Sequence, residues 1–76
     1  MNKRRRKQLI LIAGSLDAEL AILREVLEAE QEAFDNMPDG IRDSARGETA
    51  QQIIDNLETA ADDLENLMAT LGDIEN

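Results

Sequence analysis

The sequence contains no cysteine and no histidine, and it has neither tryptophan nor tyrosine. The absence of cysteine excludes disulfides and thiolate metal ligands, and the absence of histidine removes imidazole ligands and the commonest catalytic base. The remaining hydroxyls, such as those of Ser15 and Ser44, have no His, Cys or Tyr to activate them, so we expect no enzymatic activity, no metal and no cofactor. A chain of 76 residues without disulfides or a structural metal usually gains stability by oligomerisation.

Aromatic residues and long apolar runs are also scarce. Phe34 is the single aromatic residue, which argues against nucleic-acid bases stacking on aromatic side chains. The apolar run from Leu9 to Ala13 follows basic residues, as at the start of a secretory signal, but Asp17 and Glu19 come too soon for one. No run approaches the roughly 20 apolar residues that a membrane-spanning helix needs. We therefore expect a cytoplasmic protein with no membrane partner.

Charge is divided unevenly along the chain. Five of the 8 basic residues form a basic tip near the N-terminus: Lys3, Arg4, Arg5, Arg6 and Lys7. The rest of the chain holds 3 basic residues against 17 acidic ones, a net charge of 3 − 17 = −14. The tip could bind the phosphate backbone of a nucleic acid, or it could pair with Asp73, Glu75 and the C-terminal carboxylate. The acidic body could instead mimic DNA toward a basic protein.

The spacing of apolar residues in the second half of the chain predicts the fold. They recur at alternating steps of three and four, as in a helix that packs along its length against another helix: Ala50, Ile53, Leu57, Ala60, Leu64, Leu67, Leu71 and Ile74. A second stripe beside the first contains Ile54, Ala61 and Met68. The apolar arc is wider than one partner helix covers, so the pattern predicts that its outer flank also associates.

The first half of the chain has the same character. One stripe contains Leu9, Ile12, Leu16, Leu20, Leu23, Leu27 and Phe34, and a second contains Ile22, Val26, Ala29 and Ala33. Pro38, in a Pro-Asp-Gly turn sequence, interrupts the helical pattern. We predict an all-α antiparallel hairpin with helix 1 at about residues 3–35, a loop at about 36–46 and helix 2 at about 47–72.

The hairpin brings Leu20 near Leu64 and Leu27 near Leu57 in this prediction. Each helix retains a second apolar flank, so we expect two hairpins to form a homodimeric four-helix bundle. The predicted interface contains Ile22, Val26, Ile54, Ala61 and Met68.

The predicted loop is longer than a simple connection requires. Antiparallel helices can be joined by about 2 to 8 residues, whereas roughly a dozen are used here. The loop region carries Arg42 and Arg46, together with Ser44, the Gly47 amide and Met37. Guanidinium groups, a hydroxyl and helix N-terminal amides suit an anion such as a phosphate or carboxylate. We predict that these five residues bind a small anionic ligand or a partner; the alternative is that both arginines only hold the turn.

The loop and its flanks resemble a known group of proteins. The run EAFDNMPDGIRDSARGE from Glu32 to Glu48, the basic start MNKRRRK and the IIDNLE segment of helix 2 are similar to small, largely uncharacterised proteins of bacteriophages and prophages. The likeness covers most of the chain and is most specific in the loop. It implies a phage accessory protein in the host cytoplasm, and such proteins often modulate host processes, including defence, by binding rather than by chemistry.

Two classes of function follow from these observations. The first is a non-enzymatic binding protein that acts on a host protein or sequesters a small anionic or nucleotide ligand through the loop. The second is a nucleic-acid-associated protein that uses the basic tip, with an acidic DNA mimic as a further alternative.

Overall fold

The computed structural model describes the backbone of residues 1–75 and the side chains of residues 1–74. Within these residues α1 spans Lys3–Asp35, α2 is a single turn at Asp39–Arg42 and α3 spans Ala45–Glu75. The two long helices pack against each other as a hairpin 59 Å long, and α2 packs on α3. The predicted all-α hairpin is confirmed. The second long helix begins at Ala45 rather than near residue 47, and it continues past Gly72.

Local hydrogen bonds explain where the helices begin and end. The Asn2 side chain accepts a hydrogen bond of 2.9 Å from the Arg5 amide and caps the start of α1. Pro38 follows the end of α1, and it disfavours helical geometry in the residue before it. The Pro38 carbonyl accepts hydrogen bonds from the Ile41 and Arg42 amides and starts α2. The Ser44 carbonyl accepts one from Glu48, so α3 begins directly after Ser44.

The seam, by which we mean the line of buried and half-buried residues where α1 and α3 contact each other, differs from the predicted one. On α3, Ile54 is 1% exposed and Ala61 is buried, and the half-buried residues are Ala50, Leu57, Leu64, Met68 and Leu71. The residues left exposed are Ile53, Ala60, Leu67 and Ile74. The two predicted stripes of this helix therefore exchange places. Either stripe makes steps of three and four with Leu57, Leu64 and Leu71, so the spacing is the same and only the side on which α1 lies decides between them.

The seam of α1 is more regular than expected. Leu20 is buried, and Leu9, Ala13, Leu16, Leu23, Leu27 and Phe34 are half-buried. Ala13 takes the seam position for which we predicted Ile12, and Ile12 is 48% exposed. Because Ala13 lies four residues after Leu9 and three before Leu16, the alternating steps of four and three continue through this part of α1; Ile12 at the same place would have given two successive steps of four to Leu16 and Leu20.

One ion pair between the two long helices indicates their register. Arg24 of α1 pairs with Glu65 of α3, and each follows a seam leucine, Leu23 or Leu64. A groove near the loop is lined by Glu30 of α1 and Ile53 of α3, so these two residues lie close together at that end. The predicted register, with Leu20 level with Leu64, lies between the offsets of these two contacts. It also leaves the first eight residues beyond the end of α3, and all eight are exposed.

Candidate functional site

The predicted binding loop contains Arg42, whose guanidinium is directed at the end of α1. Its Nη2 donates hydrogen bonds to the Asp35 carbonyl at 2.8 Å and to the Met37 carbonyl at 3.2 Å. The guanidinium also lies 5.7 Å from the centre of the Phe34 ring, within cation–π range. A cation at this position satisfies carbonyls that a helix C-terminus leaves unpaired. Arg42 therefore closes the end of α1 with the donors that a ligand would need.

Ser44 and Gly47 also have structural partners. The Ser44 hydroxyl donates a hydrogen bond to the Ile41 carbonyl, which ties the end of α2 to the start of α3. Gly47 is buried, and a Cβ atom at this position would overlap the backbone carbonyl of Arg42. Glycine is thus needed here for the close approach of α2 to α3. Both residues hold the turn in shape.

Arg46 differs from Arg42 in being exposed, and no hydrogen bond or ion pair from its side chain occurs within the described residues. It lines an open groove of about 360 Å³ beside the loop, together with Met37, Thr49 and Ile53. Glu30 is the acidic residue of this groove. The groove thus combines an unpaired guanidinium, a hydroxyl and apolar side chains. Of the two loop arginines, Arg46 is the one that retains its donors for a ligand.

The basic tip is helical and fully exposed. Lys3, Arg4, Arg6, Lys7 and Ile10 border an open hollow of about 570 Å³. Within the described side chains, none of the five basic residues forms an ion pair, and the exposed Asp73 carboxylate is not joined to them. The other predicted partners, the Glu75 side chain and the C-terminal carboxylate, lie outside the described residues. The tip projects past the end of α3 with its charge available.

An apolar face runs along one side of the hairpin. We define this apolar face by its exposed apolar members: Ile12, Ile22, Val26, Ala29 and Ala33 of α1, and Ile53, Ala60, Leu67 and Ile74 of α3. The exposed polar residues Ser15 and Glu19 lie on the same side of α1. In an antiparallel hairpin, the residues that come directly before seam residues lie on the same side of the hairpin in both helices. The residues that come directly after seam residues lie on the opposite side. Val26 and Ile53 belong to the first group, whereas Arg24 and Glu65 belong to the second. The two apolar stripes therefore share a side, opposite the ion pair.

The apolar face changes the predicted interface residues. Ile22 and Val26 are 53% and 44% exposed, so they are accessible, and their place in an interface stays a prediction. Ile54 and Ala61 are buried inside the hairpin and have almost no surface left for another chain. Sequence reasoning missed Ile53 and Leu67 in this role because it assigned them to the seam. The signal that could have found them is the Arg24–Glu65 pair, since opposite charges at matching positions mark the polar side.

The polar side carries a second groove, of about 460 Å³, lined mainly by acidic residues and Arg24. Within the described residues, no group of three Asp or Glu side chains is arranged to hold a metal ion. No helix in the same range is long and apolar enough to cross a membrane. The comparisons with protein-family models, curated proteins and solved structures gave no match.

Proposed function

We propose that this chain is a non-enzymatic binding protein that self-associates through its apolar face and presents the Arg46 groove to a target. The observation that carries the proposal is the exposure of large aliphatic side chains along one side of the hairpin. Ile22 is 53% exposed and Leu67 is 48% exposed. A contiguous apolar patch of this kind on a small protein marks an interaction surface. The polar side of the hairpin, with Arg24 and Glu65, lacks such a patch.

The proposed assembly is a homodimeric four-helix bundle. A lone two-helix hairpin leaves half of each helix in water, and small domains without disulfides or metals commonly gain stability from oligomerisation. Sedimentation at micromolar concentration tests the assembly. We expect a dimer, and a stably folded monomer would refute this part of the proposal.

The proposed target site is the groove beside the loop rather than the whole loop. Arg42, Ser44 and Gly47 shape the turn, so they contribute to binding indirectly. Arg46 supplies a guanidinium that can pair bidentately with a phosphate or carboxylate, and Met37 and Ile53 supply apolar contacts next to it. This combination fits an anionic group attached to an apolar body, either a nucleotide-like ligand or a side chain of a host protein. A phage-type accessory role agrees with binding without chemistry.

Capture from a bacterial lysate, with mass spectrometry of bound proteins and small molecules, tests the site. Arg46→Ala should abolish capture of the specific target and leave helicity and oligomeric state unchanged. Arg24→Ala is the control, because Arg24 is also an exposed arginine but lies on the polar side, where it pairs with Glu65. Equal capture by wild type and Arg46→Ala would refute the site. Loss of capture in Arg24→Ala alone would move the site to the acidic groove.

The exposed basic tip favours a second candidate function, binding to nucleic acid. Five cations without ion-pair partners in the described side chains are a usable electrostatic footprint. This candidate requires duplex or single-strand binding that falls steeply with salt and is lost when the tip is neutralised. Binding to a basic host protein that survives tip neutralisation would instead favour the acidic DNA-mimic alternative.

A further inference from the structure

The two stripes of the apolar face are centred at nearly the same height on the hairpin. On α3, Ile53, Ala60, Leu67 and Ile74 recur every seven residues, so their midpoint lies between residues 63 and 64. On α1, the stripe from Ile12 to Ala33 is centred at Ile22 or immediately beside it. In the predicted register, with Leu20 level with Leu64, the two midpoints differ by about two residues, or about 3 Å of helix rise. Because both stripes have their midpoints at nearly the same height, a two-fold axis through that height and perpendicular to the helices superimposes each stripe on the same stripe of a second copy.

We propose that a second copy of this chain occupies the apolar face in the opposite direction, with the loop of each copy beside the basic tip of the other. This inference rests on the proposed self-association, and it adds the relative direction of the two hairpins and the polar contacts between tip and loop. In this arrangement α1 packs along α1 of the second copy, and α3 packs along α3. Ala60 then lies across from Leu67 of the second copy, and Ile12 lies near Ala29 of the second copy. A large residue meets a small one at these two positions, whereas Ile53 lies across from Ile74 of the second copy; both kinds of contact bury apolar surface.

The charge distribution selects this direction. The segment from Glu28 to Glu48 holds seven acidic and two basic residues, a net charge of 2 − 7 = −5, and the basic tip carries five positive charges. The opposite direction would place the two tips together at one end and the two acidic loops together at the other. Like charges repel, and complementary patches set the direction of an interface. Arg42 offsets the acidic charge of the loop only in part, because its Nη2 serves the end of α1 and its Nη1 lies 3.9 Å from the Asp39 carboxylate.

The overhang of the basic tip also fits this direction. Residues 1–8 project beyond α3 of their own hairpin and are exposed there. With the rotation axis near residue 21 of α1, the tip of one copy reaches the level of Asp35 and Asp39 of the second copy. The Asp39 carboxylate pairs with Arg42 Nη1 at 3.9 Å, but its side chain is 96% exposed, so it can also accept hydrogen bonds from the tip. Each tip thus covers the one end of the partner hairpin where acidic residues surround the turn.

The size of the face is adequate for a stable dimer. The hairpin measures 59 Å by 15 Å across its broad side. Such a face offers on the order of 800 Å² per copy, which is the area that standard specific interfaces bury on each partner.

Distances between spin labels test the direction. Because the chain has no cysteine, Gln8→Cys and Gln52→Cys each give a single exposed labelling position, one near the tip and one near the loop. In the proposed dimer the two labels at position 8 lie about 25 residues apart along the axis, or about 40 Å, and those at position 52 lie about 35 Å apart. Double electron–electron resonance measures these distances. With the tips side by side, both would fall below about 25 Å, which overturns the proposed direction.

The same measurement separates this inference from the proposal on which it rests. Absence of intermolecular coupling, together with a monomer in sedimentation, overturns self-association itself. A dimer with short distances at both positions overturns only the direction. As a charge test, the triple variant R5Q/R6Q/K7Q should raise the dimer dissociation constant at least tenfold at low salt, whereas Arg24→Gln should leave it unchanged. Tighter association of the triple variant would indicate that the tips repel each other in the dimer and would overturn the inference.

Discussion

Replacement of Gly47 by alanine tests the close contact between α2 and α3. An added Cβ at this position would overlap the carbonyl oxygen and carbon of Arg42. These atoms belong to the backbone, so α2 must shift as a unit, and the hydrogen bonds from Arg42 to the Asp35 and Met37 carbonyls shift with it. Overpacking of this kind costs about 1–3 kcal/mol. Alanine also favours the helix by up to about 1 kcal/mol over glycine, which offsets part of that cost.

Gly14 and Gly72 provide matched controls for the same substitution. Both lie inside long helices, and an added Cβ at either position has no heavy atom within 4 Å. Alanine at these positions should raise the free energy of unfolding by about 1 kcal/mol through helix propensity alone. The same chemical change should therefore stabilise the protein at two positions and destabilise it by about 1–2 kcal/mol at the third.

Thermal unfolding followed by circular dichroism measures the difference. For a chain of this size, 1 kcal/mol shifts Tm by about 4–8 °C. We expect Gly14→Ala and Gly72→Ala to unfold above the wild type and Gly47→Ala to unfold below it. All variants must be compared at one protein concentration, since association raises the apparent stability. A Gly47→Ala variant that unfolds above the wild type would show that α2 does not press on α3 in solution.

The neighbours Ile54 and Ile53 should respond oppositely: Ile54→Ala should cost about 2–5 kcal/mol of unfolding free energy as a core truncation, whereas Ile53→Ala should mainly weaken dimerisation in sedimentation. A larger loss of stability in Ile53→Ala than in Ile54→Ala would restore the seam predicted from the sequence. Arg42→Ala should cost about 1–3 kcal/mol by removing two hydrogen bonds and the contact with Phe34, and Arg46→Ala should stay within about 0.5 kcal/mol of the wild type in urea unfolding. The reverse order would exchange the roles that we assign to the two arginines.

The sequence by itself determined the secondary structure and its connection. The alternating steps of three and four along residues 50–74, the absence of proline from both predicted helices and the single Pro38 turn were sufficient for a helical hairpin. They were sufficient because helix formation and helix pairing depend on periodicity and on local turn chemistry. The first helix begins and ends at the predicted residues for the same reason.

Only the tertiary structure decided which apolar stripe faces the core and which loop residue remains open to a ligand. Ile53 and Ile54 are adjacent, equally apolar and equally compatible with the heptad spacing, so their burial depends on the side from which α1 approaches. Arg42 and Arg46 are likewise the same residue type, one helical turn apart in the sequence. The first is directed at the carbonyls ending α1 and the second at an open groove, because the α2 turn sets a different direction for each side chain. Local propensity does not encode these directions, since they arise from contacts between elements that are distant in the chain.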